Sequence, residues 1–332
     1  MFIEKEVWIL KKIIIPISLI LIFTLCFTGC SNGDLKKITV NEVTHSVFYA
    51  PFYAAINNGY FKDEGIEIEL INGGGSDKSM TALLSQQAQF ALLGPETAVY
   101  VLNEGREDHA VILAQLTKKD GSFLLGKEPD DSFSWDKLRG KTIIGGRKGG
   151  MPQMMLEYAM KKNGVVPNVD ATVRTDVSFD LMGGAFIGGN DDYVALFEPV
   201  ASTMEIAKEG YIVASIGQAS GNVPYTCFMC LQSYLNSNPE TAKAFLRALK
   251  KGQDFVNDSD ISSIVDAVSP SFPDSDRELL TAVVTRYKEI DVWNKDASML
   301  KEDYQRLIEI IKDAGIIQTA PDFETITASE FW

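Results

Sequence analysis

The chain has few of the side chains that bind metal ions or form disulfide bonds. Its 332 residues include two histidines, His45 and His109, which are too few for a His-rich metal site, and four cysteines. Acidic residues outnumber basic residues by 45 to 31, and the net charge is −14 at pH 7. A surface of this sign repels nucleic acids and anionic lipids. We therefore expect no resident metal, no nucleic-acid partner and no cofactor.

Phosphate-binding motifs of nucleotide enzymes are absent. The segment GGRKGGMPQMMLEYAMKKNG, residues 145–164, places four glycines and two cations before a stretch with helical periodicity. A P-loop has the pattern GxxxxGK[ST], but here Gly150 is followed by Met151 and Pro152, and no GxGxxG occurs. These departures disfavour a nucleotide enzyme.

The same segment predicts a different kind of ligand contact. Glycines before a helix expose backbone N–H groups at the positive end of the helix dipole, which favours an electronegative ligand atom. We expect Gly149, Gly150 and Met151 to line a cleft as backbone donors, while Arg147 and Lys148 face solvent. The alternative is that these glycines only permit a tight strand-to-helix connection.

The N-terminus holds the one long apolar run. Residues 13–27 of MFIEKEVWILKKIIIPISLILIFTLCFTGC follow two lysines and are shorter than the roughly 20 residues of a membrane-spanning helix. This order is typical of an export signal. FTGC followed by SNGD resembles the lipobox of bacterial lipoproteins, although Phe27 replaces the usual aliphatic residue. The resemblance implies a signal peptide over 1–29 and an extracytoplasmic protein anchored to the cell membrane by a lipid on Cys30; a retained N-terminal anchor is the alternative.

The remaining chain alternates strand and helix patterns, which predicts an α/β fold. Its length is enough for two lobes of ordinary size. We expect every strand to be followed by a loop and a helix, and the chain after residue 238 to be almost entirely helical. Strands are predicted near 36–44, 66–71, 90–93, 110–116, 141–145, 171–177, 193–199, 209–217 and 223–235, and the long C-terminal helices at 239–256, 274–289 and 297–314.

Candidate binding residues follow the predicted strands, where open α/β sheets bind ligands. An aromatic cluster comes after the first strand, and its rings could enclose a planar solute. Two further loops, each with a glutamate, follow later strands. The predicted solute-contacting residues are His45, Phe48, Tyr49, Tyr53, Gly94, Pro95, Glu96, Gly149, Gly150, Met151, Phe197, Glu198 and Tyr225.

Several segments resemble one family in the same order. They are FYAPFYAAINNGYFKDEGIEIELINGGG, LLSQQAQFALLGPE, DKLRGKTIIGGRKGGMPQMMLEYAMKKNG, YVALFEPVAS and VPYTCFMCLQSYLNSNPETAKAFLRALKKG. Together they resemble the periplasmic-type solute-binding proteins of the nitrate, sulfonate, taurine and thiamine-pyrimidine-precursor family, which serve ABC importers. The resemblance covers roughly residues 37–255.

This resemblance implies a type II periplasmic-binding-protein fold with two α/β lobes, two hinge crossings and a helical C-terminal tail. The crossings would fall near 116–122 and 221–224. The first lobe would contain 30–118 and 224–332, and the second lobe 119–223. The expected activity is capture of one small-molecule solute by hinge closure, without chemistry. The expected protein is a monomer that delivers the solute to an ABC permease.

The charge of the predicted loops bears on the solute. Glu96 and Glu198 lie beside aromatic residues, and burying an anion next to carboxylates is costly. A thiamine-pyrimidine-like heteroaromatic suits both features, because its ring would stack and its amino group would donate to a glutamate. The alternative is a small anion such as a sulfonate, taurine or nitrate.

Two cysteines leave an enzymatic alternative open. Cys227 and Cys230 form a CxxC, but residues i and i+3 of a strand point to opposite faces, so buried free thiols are expected. The eukaryotic pyrimidine-precursor synthases of the same superfamily carry a cysteine-rich cluster and a reactive histidine. A synthase-like enzyme using His45 is therefore one alternative, and a lipid-anchored adhesin or scaffold without a solute is another.

Overall fold

The computed structural model describes residues 35–332. They form two five-stranded mixed sheets with helices packed against them, followed by a helical C-terminal region. The predicted α/β class and helical tail are confirmed. None of the described helices is long and apolar enough to cross a membrane. Cys30 and the signal-like segment lie outside the described residues, and their assignment stays a prediction.

The strands lie close to most of the predicted positions. Short strands end where the alternating or buried apolar pattern ends, and glycines directly follow β2, β3 and β6. The ten strands are β1 (Lys36–Glu42), β2 (Ile66–Asn72), β3 (Phe90–Leu93), β4 (Ala110–Thr117), β5 (Ser122–Gly126), β6 (Thr142–Ile144), β7 (Thr172–Arg174), β8 (Tyr193–Phe197), β9 (Tyr211–Ser215) and β10 (Thr226–Leu231).

Fourteen α-helices are present in residues 35–332. The three predicted long C-terminal helices appear, and the structure adds a shorter helix between the first two of them. The helices are α1 (Ala50–Asn57), α2 (Tyr60–Asp63), α3 (Ser76–Leu84), α4 (Glu96–Asn103), α5 (Met151–Lys162), α6 (Met182–Gly188), α7 (Val200–Ile206), α8 (Ile216–Ser220), α9 (Gln232–Ser237), α10 (Pro239–Asp258), α11 (Ile261–Val268), α12 (Arg277–Glu289), α13 (Lys301–Asp313) and α14 (Phe323–Ile326).

The two sheets have the same arrangement. The first has the order β2-β1-β3-β10-β4, with β1 parallel to β2 and β3, and β10 antiparallel to β3 and β4. The second has the order β7-β6-β8-β5-β9, with β6 parallel to β7 and β8, and β5 antiparallel to β8 and β9. We call the first sheet with its helices the first lobe and the second sheet with its helices the second lobe.

The chain passes between the sheets twice. It leaves the first lobe between Thr117 and Ser122 and returns between Ser220 and Thr226. After the first crossing the chain forms β5, which is antiparallel to β8 and β9. After the second crossing it forms β10, which is antiparallel to β3 and β4. The prediction that every strand is followed by a helix was wrong at β4, because β4 leads directly into the crossing and β5.

The core of each lobe explains which strands are wholly apolar. All residues of β3, β4, β5 and β10 are buried, because helices cover these sheets on both faces. In the first lobe, the apolar side of α10 packs on α1. Gly252 permits this close approach, because a Cβ atom there would lie 2.1 Å from the backbone oxygen of Pro51.

Candidate ligand-binding site

A cavity of about 230 Å³ is lined by residues from both lobes. Its wall contains residues from the loops after β1, β2 and β3 in the first sheet and after β6 and β7 in the second, together with Phe197, the last residue of β8. The carboxyl ends of parallel strands are where open α/β sheets present their ligand-binding loops. The arrangement therefore brings two sets of such loops together around one enclosed space.

Aromatic rings form much of the inner wall. Tyr49, Phe179, Phe197 and Tyr225 line the cavity, and all but Phe179 are almost fully buried. The ring centroid of Phe197 lies 5.6 Å from that of Phe179 and 6.1 Å from that of Tyr225. Such rings can pack against the face or the edge of a planar solute.

The structure places six of the predicted contact residues on the cavity wall. They belong to the segments after β1, β3 and β6, to the end of β8 and to the second crossing. They are Tyr49, Gly94, Gly150, Met151, Phe197 and Tyr225.

The hydroxyl of Tyr225 is buried at the cavity wall and forms no well-directed hydrogen bond, although the carboxyl group of Asp120 is close enough to interact with it. Asp120, in the first crossing, lies close to it, and one Asp120 oxygen accepts a hydrogen bond from the Ser122 N–H at 2.6 Å while the other has no partner. Burial raises the pKa of Asp120 to about 7. Burial also raises the pKa of Tyr225 well above its usual value. A buried polar atom without a partner is costly, so this pair can accept a polar group or a water molecule.

Glu96 lies directly behind the wall. It is the first residue of α4 and is fully buried, and its carboxyl oxygens form no well-directed hydrogen bond, although the N–H groups of Glu96, Thr97 and Met151 lie close to them. A Cβ atom on Gly94 would lie 2.0 Å from its Oε2, so the carboxyl group covers this wall glycine from behind. Burial raises the pKa of Glu96 to about 7, although Arg147 and nearby N–H groups, including that of Met151, act in the opposite direction. Glu96 does not itself line the cavity.

Two of the three predicted backbone donors are already engaged. The Gly149 N–H donates to Oε1 of Gln153 at 2.8 Å, and the Gly150 N–H donates to the backbone oxygen of Arg147 at 3.0 Å. Gly149 also faces away from the cavity, because its oxygen accepts a hydrogen bond from the Tyr100 hydroxyl at 2.8 Å. The prediction that Gly149 and Gly150 donate to a solute was wrong for this reason.

His45 and Tyr53 lie away from the cavity. His45 stacks on Phe272 with 4.5 Å between ring centroids, and its Nδ1 lies 2.7 Å from a Glu42 carboxyl oxygen. The Tyr53 hydroxyl donates to the other Glu42 oxygen at 2.6 Å. The hydrogen bond to Glu42 raises the pKa of His45. The predicted solute contacts of His45 and Tyr53 are therefore corrected to a network centred on Glu42.

Phe48 and Pro95 are also absent from the cavity wall. Phe48 is fully buried, and its ring lies against the first crossing, where a Cβ atom on Gly121 would come within 2.4 Å of it. Pro95 is buried immediately before α4. Both were predicted contacts, and both are packing residues, because backbone or ring atoms of neighbouring elements cover them.

Glu198 is occupied by partners inside the protein. Its Oε2 accepts from the N–H of Ser202 at 2.8 Å, and its Oε1 accepts from the Ser202 hydroxyl at 2.8 Å. The carboxylate also forms an ion pair with Arg286 of α12, and its side chain is fully buried. The predicted solute contact of Glu198 is wrong, because this carboxylate caps α7 and joins it to α12.

Charged residues at the rim were not among the predicted contacts. Lys78 and Asp77 lie at the start of α3, and Arg147 and Asp176 follow β6 and β7. Arg147 was expected to face solvent, but it lines the cavity while remaining 42% exposed. The rule that ligands bind at strand ends could have found the loops after β2 and β7.

The two cysteines of β10 show no arrangement for redox or metal chemistry. Cys227 and Cys230 are buried free thiols, and burial raises the pKa of Cys227 well above its usual value. Residues 35–332 contain no group of three or more His, Cys, Asp or Glu side chains that could hold a metal ion.

Comparison with known proteins gives consistent matches along most of the chain. Residues 47–259 match the family described as NMT1/THI5 like. The chain is 41% identical over 299 residues to a Bacillus subtilis (strain 168) protein named "Putative binding protein YtlA", which covers 90% of this chain and 89% of that protein. It is 25% identical over 230 residues to 4-amino-5-hydroxymethyl-2-methylpyrimidine phosphate synthase THI13 of Saccharomyces cerevisiae (strain ATCC 204508 / S288c), or 63% of each chain.

A solved structure shows the same fold. The periplasmic nitrate-binding protein NrtA from Synechocystis PCC 6803 superposes with a TM-score of 0.73 at 15% identity, covering 90% of this chain and 88% of that one. The predicted two-lobed periplasmic-binding-protein fold is confirmed.

Proposed function

The chain belongs to the NMT1/THI5-like family, and from this premise we propose that it is the extracytoplasmic solute-binding component of an ABC importer. One observation carries the proposal: strand-end residues from both lobes together line one cavity of about 230 Å³. The binding protein from Bacillus subtilis, at 41% identity, supports it. The lobes would close over one solute by rotation about the two crossings, and a membrane permease would bind the closed form.

The proposed solute is a small planar heteroaromatic molecule of the thiamine-pyrimidine type. The aromatic wall favours a ring, and the four charged rim residues carry two positive and two negative charges, which do not select for a net charge. Glu96, which lies behind the wall residue Gly94, replaces Glu198 as the proposed buried acceptor for an amino group of the solute. A buried carboxyl without a well-directed hydrogen bond is costly, so a donor that reached it past Gly94 would gain a charge-assisted hydrogen bond.

A small anion is the second candidate, and the rim supplies the observation that favours it. Helix α3 begins after Gly75 with no side-chain cap, and Ser76, Asp77 and Lys78 of its first turn line the cavity. Its first N–H groups, together with Lys78 and Arg147, could bind a sulfonate or nitrate. Asp77 and Asp176 on the same rim act against this candidate.

A synthase-like enzyme receives less support from the site. The yeast relative is a synthase at 25% identity. In this chain, however, both ring nitrogens of His45 have partners within 2.7 Å, Glu42 and the backbone oxygen of Ser271, and the histidine lies away from the cavity. Mass spectrometry of the protein after incubation with iron would test this alternative, because consumption of His45 would change the mass of the chain.

The experiment for the binding proposal is a calorimetric titration. The probes are 4-amino-5-hydroxymethyl-2-methylpyrimidine, taurine and nitrate, and native mass spectrometry of the purified protein identifies any solute already bound. We expect the pyrimidine to bind, and Tyr49→Ala and Phe197→Ala each to weaken binding by about tenfold or more through the loss of ring contacts. Tyr60→Phe, at the surface of the first lobe, serves as the matched control.

The possible outcomes separate the candidates. Binding of taurine or nitrate alone would select the anion candidate, and loss of that binding in Arg147→Gln would place the anion at the rim. No binding of any probe, together with no co-purified solute, would contradict a solute-binding role and favour a scaffold.

The proposed location of the protein is the outer face of the cell membrane, where a lipid on Cys30 would attach a monomer close to its permease. The lipobox resemblance supports this location. Two attached acyl chains give stable membrane anchoring in the absence of a spanning helix.

A further inference from the structure

Three contacts join the first lobe to helix α5 or to Gly149 in the loop before it, and none of them involves the cavity. The Tyr100 hydroxyl of α4 donates to the backbone oxygen of Gly149 at 2.8 Å. Asp313, at the end of α13, forms an ion pair with Lys161 at 2.6 Å. Ile316 packs against Gly149, with its Cδ1 3.5 Å from the position that a Cβ atom would take. We call these three contacts the α5 latch.

The C-terminal segment that carries Asp313 and Ile316 is attached to the first lobe. The backbone oxygen of Thr319 accepts from the Asn103 side chain at 2.9 Å. The N–H of Ala328 donates to the backbone oxygen of Ile112 at 2.9 Å, and the Trp332 indole N–H donates to that of Leu113 at 2.7 Å. The segment therefore moves with the first lobe, and its contacts with α5 are contacts between lobes.

The latch adjoins the residues that line the cavity. Gly150 and Met151 follow Gly149 directly, and both are on the cavity wall. The left-handed conformation of Gly149, with φ of 74°, sets the direction in which the loop enters α5. The contacts of Gly149 with Tyr100 and Ile316 therefore fix the positions of Gly150 and Met151, which the second lobe places on the cavity wall.

We propose that Tyr100, Asp313 and Ile316 are positioning residues for solute capture, which hold α5 in the closed arrangement before any solute binds. This inference rests on the proposed function, because it assumes that closure serves capture. The apparent affinity of a solute rises with the fraction of protein already in its binding-competent form. A latch that makes no contact with the solute thus raises affinity without changing which solute is bound.

The test is a distance measurement that uses no small molecule. Spin labels are attached through p-acetylphenylalanine at Lys62 in the first lobe and Val169 in the second, both exposed, so that the cysteines are not modified. Pulsed electron resonance then gives the distribution of distances between the lobes in the full chain. We expect wild-type protein to show a predominant short distance.

Two variants examine the latch, and a third serves as the control. Tyr100→Phe removes the hydrogen bond to the Gly149 oxygen and the weak contact of the same hydroxyl with the Met154 sulfur, and it is expected to raise the ratio of open to closed protein about fivefold. Asp313→Asn is expected to raise it about twofold, because an exposed ion pair contributes little, and 0.5 M NaCl should produce the same change in wild-type protein. Tyr60→Phe, whose hydroxyl contacts only Asn58 within the first lobe, is the matched control and should leave the distribution unchanged.

Two results would overturn the inference: a predominant long distance in wild-type protein, or an unchanged distribution in the double variant Tyr100→Phe/Asp313→Asn. Thermal unfolding of each variant checks that a change in distance does not come from unfolding. Because no solute is present, failure of every probe in the titration would leave this result intact. Conversely, a solute could bind to a protein that has no latch.

Discussion

Replacing Glu96 by glutamine tests the electrostatic description of the site most directly. Burial raises the pKa of this carboxyl from the ordinary 4.5 to about 7, so the folded protein favours the protonated form. The group therefore stabilises the fold fully only below pH 4.5, and this contribution is lost as the pH rises through 7. Glutamine occupies the same space and does not titrate.

The expected size of the effect follows from this difference. Each pH unit by which the folded and unfolded pKa values differ corresponds to about 1.4 kcal/mol. Between pH 5.5 and pH 8.5, Glu96→Gln should gain about 2 kcal/mol of stability relative to wild-type protein. Asp120 also has a pKa of about 7, but it is present in both proteins and its contribution cancels.

The assay is urea unfolding followed by tryptophan fluorescence at the two pH values, both above the isoelectric point of about 4.7. The glutamine amide changes the stability of the variant by the same amount at both pH values. The informative quantity is therefore how much the difference in unfolding free energy between variant and wild-type protein changes from pH 5.5 to pH 8.5. Glu104→Gln, which removes an exposed carboxyl just after α4, should alter stability by less than about 0.5 kcal/mol at both pH values. An equal difference for Glu96→Gln at both pH values would refute the burial argument.

Three further substitutions examine other parts of the structure. Arg286→Met should destabilise the protein by about 2 kcal/mol or more, because the buried carboxylate of Glu198 loses its cation. Urea unfolding measures this loss, and the double variant Arg286→Met/Glu198→Gln should regain stability. Gly252→Ala should lower the free energy of unfolding by about 1–3 kcal/mol, because its Cβ atom would lie 2.1 Å from a backbone oxygen of α1. Gly184→Ala, which has open space around it, should be neutral or stabilising. Equal melting temperatures for the two variants would contradict this packing. Cys30→Ser should abolish incorporation of radiolabelled palmitate, and retained label would show that the lipobox interpretation is wrong.

Much of the fold was predictable because local periodicity reports it. The alternation in β1 and β2, the buried runs of β3 and β4 and the amphipathic pattern of α10 and α12 are properties of short segments. Strand β5 was not predicted. Its five residues, SFLLG, show no alternation and are followed by no helix, and only pairing with β8 and β9 makes them a strand.

The candidate site was predictable to the level of loops but not of atoms. Strand ends marked Tyr49, Gly94, Phe197 and the loop before α5 as candidates for one ligand site. The sequence could not show that Glu198 has a cation 88 residues away in α12, or that Gln153 accepts the N–H of Gly149. Two glutamates that looked alike as residues after a strand thus differ completely in their surroundings.

The amino-acid sequence by itself determined the α/β class, the helical C-terminal region and the resemblance to solute-binding proteins, because these depend on patterns within neighbouring residues. Only the tertiary structure decided which side chains face the cavity, which are used in packing and which polar atoms lack a partner. The physical reason is that hydrogen bonds, ion pairs and burial depend on groups brought together from distant parts of the chain. Whether a glutamate can receive a solute is decided by those neighbours.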